Sequence, residues 1–119
     1  MTLVLVLLGG AVGAPTRYLA DVAVQRLHRT SFPWGTWAVN MVGSFVLGVV
    51  AAGAATWMET LVGTGFCGAL TTFSTFGYET VRLSEEGETS TAAANVVGSL
   101  VVGLLAAALG WWLGDLTGV

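Results

Sequence analysis

Apolar, charge-poor stretches alternate with short polar or turn-rich segments along the chain. Their lengths predict four membrane-spanning helices at about 3–24, 35–57, 61–83 and 91–113 in a single domain covering residues 1–119. No Lys or Arg precedes the first apolar run, Leu3 to Leu8, so it reads as a span and not as a cleaved signal. Pro15, Thr16 and Arg17 interrupt this first stretch, and Gln25 to Thr30 close it. Arg17 and Asp21 stand four apart, on one helical face where they can neutralise each other. The second stretch opens at Pro33 and carries Trp34, Trp37 and Trp57. On one continuous helix Trp37 and Trp57 would lie about 30 Å apart, the hydrocarbon thickness, as interfacial belt residues. The third stretch holds GALTTFSTF, Gly68 to Phe76, at mid-depth and runs into an acidic loop with Glu85, Glu86 and Glu88. Trp111, Trp112 and Asp115 close the fourth.

The pattern repeats itself. At a constant offset of 55 residues, TWAVNMVGSFVLGVVAA (Thr36 to Ala52) matches TAAANVVGSLVVGLLAA (Thr91 to Ala107) at ten of seventeen positions, and GAVGAPT (Gly10 to Thr16) meets GFCGALT (Gly65 to Thr71). An offset that covers two helices makes the related spans run in the same direction, a parallel two-helix repeat.

Composition fixes the solvent: 55% of residues are hydrophobic, 9% are charged, and the mean hydropathy is +0.80, an all-α integral membrane protein. The net charge of −3 gives no sign of a nucleic-acid partner. One cysteine, Cys67, excludes an internal disulfide, and one histidine, His28, excludes a histidine cluster. Cys67 reads as a small buried hydrophobe and His28, between Arg26 and Arg29, as an interfacial anchor. No nucleotide-binding loop and no nucleophile–base pairing marks an enzyme.

The repeat carries its polar groups at a fixed spacing. Thr36, Asn40, Ser44 and Gly48 lie four apart, as do Thr91, Asn95, Ser99 and Gly103, so each set forms one stripe on a helix. An unpaired amide in lipid costs several kcal/mol, so Asn40 and Asn95 must face protein, water or a permeating solute. Close helix packing is the alternative for each stripe, and Gly43, Gly48, Gly98, Gly103, Gly110 and Gly114 read as packing residues. The third span adds Thr71, Thr72, Ser74 and Thr75 at similar depth. Its glycines and hydroxyls weaken a straight helix, and a break there would free backbone groups in a place where only a cavity or protein can receive them. Freed carbonyls hold cations, whereas freed amides and ring edges hold anions, and composition does not choose between them. Arg17 reads either as a snorkelling anchor or as an ion-attracting vestibule charge. Glu79 reads either as the partner of Arg82 or as a vestibule residue.

GALTTFSTF, together with Asn40 inside GTWAVNMVGS and Arg17 inside GAVGAPTRY, resembles the Fluc (CrcB-type) fluoride channels over essentially all four spans. The resemblance implies a four-span subunit with a broken third helix, paired antiparallel with an inverted second subunit in the cell membrane and exporting fluoride passively. It implies that Phe73 and Phe76 present ring edges to fluoride and that Asn40 donates its amide hydrogens. Ser74 and Thr75 would extend the polar track, to which the stripe residues Asn95 and Ser99 are further candidates. The backbone carbonyls of Gly68 and Thr71 would hold a structural sodium ion between subunits. Where the family has a glycine pair before TTFSTF, this chain has Gly68 and Ala69.

Two other readings compete, a small four-span drug or cation exporter and a non-conducting assembly subunit. The exporter needs an intramembrane carboxylate in its first span, and none precedes Asp21. Orientation follows from the arginines. Arg26, Arg29 and Arg82 fall on one side, and the opposite side carries no Lys or Arg, which predicts both termini outside. An inverted homodimer needs both orientations equally, so the partner is either a second copy or a sister chain of opposite bias.

Overall fold

The structure is a computed structural model that describes residues 2–27, 32–71 and 73–118. His28, Arg29, Thr72 and the side chain of Ser74 lie outside the described residues. All regular structure in the described residues is helical: α1 (Thr2–Leu27), α2 (Trp34–Ala51), α3 (Thr56–Met58), a π-helical segment (Glu59–Cys67), α4 (Gly68–Leu70), α5 (Phe73–Glu85) and α6 (Thr89–Thr117). Among them α1, α2 and α6 are long and apolar enough to cross a membrane.

Local chemistry sets these boundaries. Pro15 does not end α1, and Thr16 next to it donates its hydroxyl to the Val12 carbonyl at 2.6 Å. Pro33, fully buried, precedes α2, and Phe32, Trp34 and Trp37 meet in sequence, the first pair tilted at 4.6 Å and the second edge-to-face at 5.8 Å between ring centroids. α2 stops at Ala51, before a turn in which Gly53 takes φ 157°, so Trp37 and Trp57 do not share a helix as the 30 Å spacing assumed. Gly87, at φ 82°, ends α5 with paired bonds from its own N–H to Ser84 and from the N–H of Glu88 to Leu83. Leu83 is fully buried beneath that turn.

Two parallel pairs make the bundle. Gly98 lies beside Trp37, Gly103 beside Met41, Gly110 beside Phe45 and Gly114 beside Val49, so contacts advance in the same direction along α2 and α6. A Cβ on Gly48 would overlap the Ala107 carbonyl, and one on Gly110 the Phe45 carbonyl. These glycines let the two backbones touch, in the manner of small-residue packing in membranes. Gly98 and Gly103 meet only side chains at ordinary contact distance, 3.8 and 3.5 Å, so close packing does not explain them. In the other pair Gly9 and Gly13 of α1 press against the π segment at Leu61 and Phe66. The π segment was not foreseen. Its glycines, Gly63 and Gly65, are both buried, and Gly65 stands against Val6 and Gly9.

Little of this is a water-excluding core. Val39, Val50, Cys67, Leu70, Leu83 and Ala92 are the buried apolar residues, whereas α1 and α6 expose leucines and valines along their length. Such a surface suits lipid or another subunit.

Candidate functional site

A cavity of about 570 Å³ opens between α2, the π segment, the start of α5, and α6. α2 contributes Asn40, Gly43 and Ser44 from one face, the third segment contributes Cys67, Gly68, Thr71, Phe73 and Phe76, and α6 contributes Ser99. None of the described residues lining it is charged. A solute there would meet an amide, hydroxyls and aromatic rings.

Thr71 shapes the centre. Its backbone is extended, φ −82° and ψ 158°, between α4 and α5. Its N–H and its hydroxyl both return to the Cys67 carbonyl at 2.9 Å. Its methyl fills the space that a side chain at residue 43 would take, which is why that position of α2 is glycine. Phe73 and Phe76, one turn apart on α5, stand with ring centroids 5.8 Å apart and tilted by 48°. Phe73 is 83% exposed in the single chain.

The first polar stripe divides three ways. Asn40 and Ser44 line the cavity, Gly48 packs on α6, and Thr36, 4% exposed, donates its hydroxyl to Glu79 Oε1 at 2.5 Å. In the second stripe Ser99 reaches the cavity, whereas Asn95 is 1% exposed and donates to Thr80 Oγ1 at 2.9 Å. Asn95 is not among the residues lining the cavity.

The remaining predicted residues gather on the other side of α5. Arg17 and Thr75 line a smaller cavity of about 160 Å³ with Tyr18, Asp21, Thr36 and Val39. Two ion pairs that the spacing allows are not formed. Arg82 pairs with Glu86 at 3.2 Å, one turn further on, while Glu79 takes the Thr36 hydroxyl. Asp21 does not neutralise Arg17. Its carboxylate turns onto Gly35, whose missing side chain makes the room, and Oδ1 is buried without a hydrogen bond.

The sequence profile of the CrcB-like proteins (camphor resistance, CrcB) matches residues 4–111. The chain belongs to the CrcB-like family. This CrcB-like protein is 52% identical over 120 residues to the fluoride-specific ion channel FluC 1 of Frankia casuarinae, covering 92% of this chain and 93% of that one. It is 56% identical over 98 residues to FluC 1 of Nocardia farcinica, covering 82% and 69%. With FluC 2 of Mycobacterium tuberculosis it shares 45% over 112 residues, covering 93% and 89%. Family membership and the apolar helices make the CrcB-like chain a multi-pass membrane protein.

Thr80 also belongs to this region, although no motif marks it in the sequence. It stands four after Phe76 on α5, a spacing at which a threonine hydroxyl reaches back to the earlier carbonyl.

Proposed function

We propose that this chain is the subunit of a fluoride-selective channel that lets fluoride leave the cell passively. The observation that carries the reading is the uncharged cavity on which Asn40, Ser44, Ser99, Phe73 and Phe76 converge from three parts of the chain. The relatives named as fluoride-specific channels support it. Fluoride holds its water tightly, so it enters only where several donors replace that water together, and it leaves only if none holds a full opposite charge. An amide, hydroxyls and the positive edges of aromatic rings meet both conditions. Arg17 in the smaller cavity would draw anions against the nearby Asp21 carboxylate, with Thr75 on the same wall and Glu79 bonded to Thr36 behind it; Ser74 would belong to the same path by its place in the motif.

In this reading the chain makes four spans, the third being the interrupted one, and pairs with an inverted second subunit. Gly68 and Thr71 would offer backbone carbonyls to a sodium ion shared between subunits. Open space supports this: a side-chain Cβ on Gly68 would meet nothing within 4 Å, and Thr71 has an extended backbone at the end of a helical turn. Hard carbonyl oxygens are the donors an alkali cation takes. Bound there, the ion would hold the interrupted segments of two subunits together.

Growth tests the function in cells. Expressed in a bacterium lacking its own fluoride exporter, the chain restores growth on fluoride medium, whereas Phe76→Ile does not. Rescue by the chain alone identifies a second copy as the partner, and rescue only with a co-expressed sister chain identifies the sister. No rescue in either arrangement contradicts the proposed function.

A further inference from the structure

Asn95 lies deeper than any other polar side chain among the described residues, and its hydrogen bonds lead to the candidate pore. Its Nδ2 donates to Thr80 Oγ1 at 2.9 Å, and the Thr80 hydroxyl donates in turn to the Phe76 carbonyl at 2.9 Å. On its other side Asn95 Oδ1 accepts a long bond of 3.5 Å from Ser99 Oγ. The chain therefore begins at one residue of the cavity wall, Ser99, and ends on the backbone of another, Phe76.

α5 rests mainly on α6 and barely touches the other helices. Leu83 supplies the apolar part of that contact, and apolar burial is non-directional; the Thr36 hydroxyl fixes α5 at Glu79 from the α2 side, which leaves the α6 side of the helix to be set by Asn95 and Thr80. A hydrogen bond is directional. The amide donor on Thr80, from the buried Asn95, polarises its hydroxyl and strengthens the part-buried bond to the Phe76 carbonyl. We propose that Asn95 and Thr80 are positioning residues, which lock the first turn of α5 against α6 and so hold the Phe76 ring on the cavity wall. Neither need touch the permeating ion. The inference rests on the channel reading for its effect on flux, and on the hydrogen bonds alone for its effect on the ring.

The test uses the full chain, in liposomes for fluoride flux and in detergent with para-fluorophenylalanine at position 76 for the fluorine resonance of that ring. Thr80→Val keeps the side-chain shape and removes the hydroxyl, Asn95→Leu removes both amide contacts, and Thr80→Ser keeps the hydroxyl. Thr80→Val and Asn95→Leu are expected to assemble as the parent does, to pass fluoride about five- to tenfold more slowly, and to move the position-76 resonance. Thr80→Ser is expected to match the parent in flux and resonance. Should Asn95→Leu fail to assemble, the Thr80 pair decides alone. Parental flux in Thr80→Val, slower flux with an unmoved resonance, or a Thr80→Ser as impaired as Thr80→Val would overturn the proposal. A parent that passes no fluoride would instead sink the channel reading, and the resonance would still report whether Thr80 positions Phe76.

Discussion

Phe73→Ile and Phe76→Ile each lower fluoride efflux roughly 10- to 100-fold while leaving the assembled protein intact, and together they come close to abolishing it. The range is that of one lost hydrogen bond to a charged partner, about 1.5–3 kcal/mol, which is the role the positive ring edge plays for an anion. Isoleucine keeps apolar bulk and loses the edge. Packing does not mask the result at Phe73, which is 83% exposed in the single chain and fills no core of its own. Phe76 is half-buried, so its replacement is paired with a check of the elution profile. Efflux read with a fluoride electrode at parental rates in both variants would remove the rings from the pathway.

Asn40→Asp is the more severe change on electrostatic grounds. It replaces an amide that donates with a carboxylate that only accepts, and it puts a negative charge on the wall of a cavity whose described lining has none. At a separation of about 4 Å and an effective dielectric of about 20, two like charges repel by about 4 kcal/mol, close to a thousandfold in rate. A variant that conducts like the parent at neutral pH would make Asn40 a packing residue of α2.

The helical character and the polar stripes were legible because both rest on short periods. Apolar length predicts a span, and a spacing of four places Asn40 and Ser44 on one face whatever surrounds them. What the stripe faces was not legible. Thr36, Asn40 and Gly48 share a face, yet one bonds Glu79, one lines the cavity and one lies against the Ala107 carbonyl. Those fates depend on which helix crosses at each level. The ion pairs failed for a related reason: sequence spacing offers Asp21 to Arg17, but the absent side chain of Gly35 on another helix offers it a place to go. The π segment was hidden because its residues, Glu59 to Cys67, differ little in composition from an ordinary apolar helix, and only the close approach of α1 glycines distinguishes them. Recognition of GALTTFSTF named the phenylalanines. It did not reach Thr80, whose role depends on Asn95 arriving from α6.

Release of fluoride from sealed liposomes tests the central claim most directly. Vesicles loaded with potassium fluoride or potassium chloride would carry the chain, alone or with whichever second chain restores growth, and a potassium ionophore would balance charge in the absence of a proton gradient. The account predicts rapid release of fluoride and retention of chloride. Fluoride release no faster than from protein-free vesicles, or equal release of both anions, would contradict it.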